Sequence, residues 1–148
     1  MNKKDFVNKV FITNSSRATQ KLGHDFGRVL EKGDIVCLYG NLGSGKTTFT
    51  QGLAEGLGIK EKIISPTFII IRSHKLGVGS FYHIDLYRIE NEKDLEGLGI
   101  EEIINNKDNI IVIEWAEKLK NYLPQKRIDI KLSYEKNNSR KIKFGLTT

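Results

Sequence analysis

Eight consecutive residues, Gly40-Asn41-Leu42-Gly43-Ser44-Gly45-Lys46-Thr47, match the pattern Gly-x-x-x-x-Gly-Lys-Ser/Thr in full. Each position has a chemical reason. The glycines let backbone N–H groups converge on phosphate oxygens in conformations that side chains would block. A helix beginning at Lys46 adds the positive end of its dipole. Lys46 can then reach the β- and γ-phosphates, and the Thr47 hydroxyl can ligate magnesium. The segment from Asn41 to Thr48 is therefore expected to cradle a nucleoside triphosphate with Mg2+, with Lys46 serving both binding and catalysis.

Such a cradle needs an acid for the metal, and two are available. Ile110-Ile111-Val112-Ile113-Glu114 is an apolar strand ending in a carboxylate, the layout of a Walker B site. His83-Ile84-Asp85-Leu86-Tyr87 offers the second, because period-two alternation puts His83, Asp85 and Tyr87 on one face. Either acid also suits a plain cap or turn, and which one touches magnesium stays open at this point. Ser65-Pro66-Thr67-Phe68 is a further motif. Pro66 stiffens the loop, so Thr67 is presented either as a γ-phosphate sensor or as part of a simple turn before a strand.

Guanine recognition has no support. Asn106-Lys107-Asp108 lacks the intervening residue of Asn-Lys-x-Asp, and Asp94-Leu95-Glu96-Gly97 follows polar residues where a buried strand is required. ATP is the expected nucleotide. Three function classes remain: a hydrolase whose cycle drives a partner, a small-molecule kinase, and a nucleotide sensor. A kinase needs a lid carrying arginines, and only Arg72 and Arg88 lie in the middle of the chain. An arginine supplied in trans raises hydrolysis by roughly 10³ to 10⁵. A chain without an evident finger is expected to be slow alone; Arg88 is the best internal alternative.

The elements that position these residues follow from periodicity and punctuation. Lys9 to Thr13 reads as a short strand, and Ser16 to Glu31 as a helix ended by Gly33. Asp34 to Tyr39 reads as a buried parallel strand and Lys46 to Leu57 as a helix closed by Gly58. Thr67 to His74, Ser80 to Asp85 and Asn109 to Trp115 read as strands, with a helix over Asn91 to Asn105. Arg127 to Tyr134 and Arg140 to Leu146 alternate as a hairpin. The expected fold is an α/β, P-loop NTPase-like three-layer sandwich with a mainly parallel sheet and an antiparallel C-terminal edge hairpin.

At 148 residues the chain has room for one domain, spanning residues 1–148. Hydrophobic content of 39% with 28% charged residues is that of a globular protein. The longest apolar runs are too short to cross a bilayer, and no signal-peptide core follows Met1, so a cytoplasmic location is expected. Cys37 is the single cysteine, inside an apolar run, which excludes an intrachain disulfide and suits a buried thiol. A net charge of +6 favours anionic partners. The lysines are dispersed, however, and Lys141 and Lys143 alternate with Ile142 and Phe144 like the solvent face of a strand.

Assembled in order, the motifs from Gly40 to Phe49, Ser65 to Phe68, His83 to Arg88 and Glu114-Trp115 resemble the bacterial TsaE (YjeE) family of P-loop ATPases. The match runs nearly end to end. The resemblance implies a role in making the threonylcarbamoyl modification of adenosine next to the anticodon of transfer RNA. It implies TsaD and TsaB as partners, with tRNA engaged indirectly or weakly. It also makes Thr47 and Glu114 the magnesium residues with Asp85 close by, and places Thr19 near the nucleotide base. Trp115 and the late Arg140 match positions that the family uses. Asn41 stands where many relatives carry Asp, a side chain that the cradle does not need.

Overall fold

A computed structural model describes residues 1–41, 43–63 and 70–147. Among these residues, seven strands and four α-helices follow in the order β1 (Val10–Thr13), α1 (Ser16–Gly27), β2 (Ile35–Tyr39), α2 (Lys46–Gly56), β3 (Ile71–Lys75), β4 (Ser80–Asp85), α3 (Lys93–Glu96), α4 (Ile100–Asn105), β5 (Ile110–Glu114), β6 (Arg127–Tyr134) and β7 (Arg140–Thr147). The strands form one sheet in the order β1-β7-β6-β2-β5-β4-β3. Its centre, β6-β2-β5-β4, is parallel. Both flanks are antiparallel, with β3 on β4 at one side and the β6–β7 hairpin at the other. The outermost strand beyond that hairpin is β1, which pairs with β7.

At its centre the sheet is covered on both faces, which is why β2 and β5 read as continuous apolar runs. Val36, Leu38, Ile110, Val112 and Ile130 face α1 and α2, where Phe26, Phe49 and Leu53 meet them. Ile35, Cys37, Ile111 and Ile113 face the other way, against Leu95, Ile100 and Leu119. Burial pushes the Cys37 thiol up to about 12, so it stays protonated and acts as a small core hydrophobe. On β7, Ile142 and Phe144 are buried while Lys141 and Lys143 face outward, following the strand period.

Two helices differ from their sequence-based bounds. Helix α1 stops at Gly27, after which Val29 and Leu30 donate to the carbonyls three residues back, a tighter turn that cannot continue the α-helix. The segment expected as one helix over 91–105 is two short ones. Gly99 has φ +71, outside the α-helical region, and that breaks the ladder. The second, α4, is held by Asn109, whose side-chain amide donates to the Ile103 carbonyl at 3.0 Å. Among the described residues no helix is long and apolar enough to cross a membrane.

Helices α1 and α2 touch backbone to backbone. A Cβ on Gly52 would lie 1.9 Å from the Gln20 carbonyl oxygen, and Gly23, Gly27 and Gly56 make similar close approaches. Gly52→Ala is therefore expected to destabilise the protein by about 1–3 kcal/mol through overpacking. Alanine is the better helix former by about 1 kcal/mol. An unchanged or raised midpoint of thermal unfolding would contradict the close packing.

Candidate functional site

The site lies where β2 leaves the sheet and α2 begins. Tyr39 is the last residue of β2, Gly40 to Gly45 turn the chain, and Lys46 opens the helix. The turn depends on glycine at defined points: Gly43 has φ +80, and Gly45, the residue preceding the helix, has φ +102. The Gly45 carbonyl accepts from the Phe49 N–H at 2.9 Å, starting the helical ladder. Asn41 is exposed, and its carbonyl accepts from the Ser44 N–H at 3.1 Å. Ser44 is buried, and its hydroxyl has no hydrogen-bond partner among the described residues. Leu42 lies outside the described residues, as does Thr67 with the whole motif from Ser65 to Phe68.

Lys46 is 6% exposed. Its ammonium donates to the Gly40 carbonyl and, at 3.0 Å, to the Asn41 carbonyl. It also sits 4.7 Å from the centre of the Trp115 ring, a cation–π contact. Burial draws the Lys46 ammonium below its ordinary range, while the carboxylates of Glu114, Asp85 and Glu117 pull the other way.

The parallel register explains why two distant acids converge. Glu114 at the end of β5 stands beside Leu38 of β2 and beside Asp85 at the end of β4. Both acids are buried, Asp85 at 5% and Glu114 at 2% exposure. Asp85 accepts from the Tyr87 N–H at 3.0 Å through Oδ1. The His83 Nε2 and a Glu114 carboxylate oxygen lie 2.5 Å apart.

A cleft of about 270 Å³ is lined by Lys46, Thr47, Asp85 and Glu114 together with Gly43, Gly45 and Thr48. A second cavity of about 380 Å³ shares Gly45, Thr48 and Arg140 with it and extends to Asn14, Ser15 and Thr19. The Thr19 hydroxyl bonds to the Thr13 hydroxyl at 2.7 Å and to the Ser15 carbonyl. The Arg140 guanidinium lies 4.3 Å from the centre of the Tyr134 ring. The described residues among the sequence-derived candidates line one of the two cavities, apart from Asn41 and Ser44 within the loop itself and the candidate arginine Arg88. Arg88 is exposed and lines neither.

The wall beside the acids joins Trp115, which the family resemblance had marked, to residues that carried no sequence signal. Trp115 takes φ +58 directly after Glu114, an uncommon backbone state for a bulky residue, and its ring stacks 5.2 Å from Tyr87. Lys118 fastens this wall by donating to the Tyr87 and Ile89 carbonyls. A lone lysine gives no warning of such a role. Asn14 and Asn138 line the second cavity and belong to loops without a motif.

The donor set fits a hydrated magnesium–triphosphate. Among the described residues no group of three or more His, Cys, Asp or Glu could hold a metal by itself. A single hydroxyl and one or two carboxylates are what Mg2+ takes when phosphates and waters complete its octahedron. The unpaired Ser44 hydroxyl and the glycine turn fit the phosphate end of the same ligand.

The family model described as "Threonylcarbamoyl adenosine biosynthesis protein TsaE" matches residues 13–142. The tRNA threonylcarbamoyladenosine biosynthesis protein TsaE of Bacillus subtilis is 41% identical over 129 residues, covering 87% of this chain and 78% of the relative. Its counterpart from Treponema pallidum is 37% identical over 131 residues, covering 88% and 96%. The crystal structure of Bacillus subtilis YdiB superposes with a TM-score of 0.80 at 31% identity, covering 95% of this chain and 86% of that one. A match of that extent, in sequence and in fold, settles the kinship: this chain belongs to the TsaE family.

Proposed function

We propose that this protein binds ATP with magnesium, hydrolyses it slowly, and thereby supports formation of threonylcarbamoyladenosine on tRNA through the TsaD–TsaB pair. The observation that supports it most is the complete P-loop at the β2–α2 junction, with two buried acids ending the neighbouring strands.

Under this reading the N–H groups of Gly43 to Thr48 take the phosphates, and Lys46 moves from the loop carbonyls to the terminal phosphates. Thr47 and one of the two acids, Asp85 or Glu114, hold the magnesium ion. When bound, that ion neutralises charge that builds on the phosphate oxygens. Glu114, bordering the cleft and shielded from bulk water, holds the magnesium ion or orients the attacking water. The base and ribose occupy the second cavity, beside Thr19 and Arg140. Arg140, stacked on Tyr134, lies next to Gly45 and borders both cavities. A slow rate is expected of the isolated protein, because an arginine supplied in trans by a partner would add the stabilisation of charge on the phosphates that raises hydrolysis most. The motif Ser65 to Phe68, with Thr67, has the chemistry of a γ-phosphate sensor in that scheme.

The products of ATP turnover test this reading. The isolated protein with Mg2+ and ATP is expected to release ADP and phosphate in equal amounts, slowly, and faster when TsaD and TsaB are added. Phosphate transferred to a small acceptor would make it a kinase. Tight ATP binding with no phosphate released under either condition would make it a sensor.

A further inference from the structure

On β4, His83 pairs with Val112, and Asp85 pairs with Glu114. His83 and Glu114 are thus diagonal neighbours on the sheet face that carries the phosphate loop. A diagonal pair is within reach only of long or aromatic side chains, and an imidazole and a glutamate span it. His83 is fully buried and Glu114 is 2% exposed, so water solvates neither group appreciably. The Nε2–Oε2 separation is 2.5 Å. Nδ1 is buried without a hydrogen-bond partner among the described residues.

We infer that His83 is a positioning residue: its Nε2–H holds Oε2 of Glu114 and so fixes the orientation in which that carboxylate faces the cleft. The inference rests on the magnesium–ATP reading of the cleft. The unpaired Nδ1 is what separates a tuned contact from a filler. A polar ring whose second nitrogen goes unbonded is a costly way to fill a site flanked by Val112. Its one hydrogen bond among the described residues serves Glu114. Without that bond, Glu114 could adopt other rotamers, and a carboxylate beside the Lys46 ammonium would swing toward it. Side chains that orient a metal-binding carboxylate commonly contribute about 10- to 100-fold to metal affinity.

The test compares His83→Leu, which keeps bulk and loses the donor, with His83→Gln, whose amide nitrogen lies near the position of Nε2. Binding of a non-hydrolysable ATP analogue is measured on the whole chain, with Mg2+ and with EDTA, beside thermal unfolding. The Mg2+-dependent gain in affinity is expected to fall about 10-fold in His83→Leu and to be restored in His83→Gln. Affinity in EDTA should be unchanged in both. A purely structural histidine would lower the unfolding midpoint while leaving the Mg2+ gain intact, and that result overturns the inference. If His83→Leu does not fold, His83→Asn supplies the same comparison, because its amide is too short to reach Glu114. Failure of both to fold also overturns it, since the ring would then serve the fold. A wild-type protein with no Mg2+ gain would instead contradict the magnesium–ATP reading on which the inference stands.

Discussion

Replacing Lys46 by alanine is expected to weaken ATP binding by about 100-fold and to remove measurable turnover. Hydrogen bonds to charged groups contribute about 1.5–3 kcal/mol each, and a lysine on terminal phosphates makes more than one contact. The loss is larger than one missing hydrogen bond because Lys46 is the counter-charge to Glu114, Asp85 and Glu117, the carboxylates that act on it electrostatically. Without it the cleft presents acids to a polyanion. The same deletion frees the carbonyls of Gly40 and Asn41, to which the ammonium donates, so the loop loses an internal tie as well. The fold itself should persist, since α2 is anchored through Phe49 and Leu53 in the core. Calorimetric titration of ATP, with circular dichroism to confirm folding, checks this. Unchanged affinity would remove the P-loop from the account.

Glu114→Gln is expected to lower phosphate release by about 10²–10⁴-fold, the usual weight of a positioned acid or base, with a smaller loss of ATP affinity. The substitution keeps the side chain's volume, and the amide oxygen can still accept from His83. Glu114→Ala would leave the buried imidazole without its partner and confound stability with chemistry. Single-turnover phosphate release, with nucleotide bound to saturation, separates the chemical step from binding. Retained turnover would transfer the role to Asp85, which stands beside Glu114 in the β4–β5 register.

The parts of the site that lie on continuous chain were legible in the sequence. A buried strand, a glycine turn and a helix start announce the cradle because each depends on local constraints: apolar runs on β2, positive φ at Gly43 and Gly45, a lysine at the first helical position. The acids were identifiable as strand ends, but their convergence depends on strand order, which local sequence does not encode. Only the sequence β2-β5-β4 brings Glu114 and Asp85 to the same side of the loop. The His83–Glu114 bond is hidden for the same reason. The α1–α2 contact was missed because its signal is the absence of side chains at Gly23, Gly27, Gly52 and Gly56, whereas helical periodicity is read from apolar ones. The division of α3 from α4 was written in Gly97 and Gly99, yet only the positive φ at Gly99 turns a weak helix position into a break.

The measurement closest to the central claim is multiple-turnover threonylcarbamoylation of tRNA by TsaD and TsaB, with this protein present at catalytic ratio. Sustained modification is expected with ATP, and a halt near a single round when a non-hydrolysable analogue replaces the ATP available to this protein or when Lys46→Ala replaces the wild type. Equal yields with and without the protein, or with the Lys46→Ala variant, would contradict it.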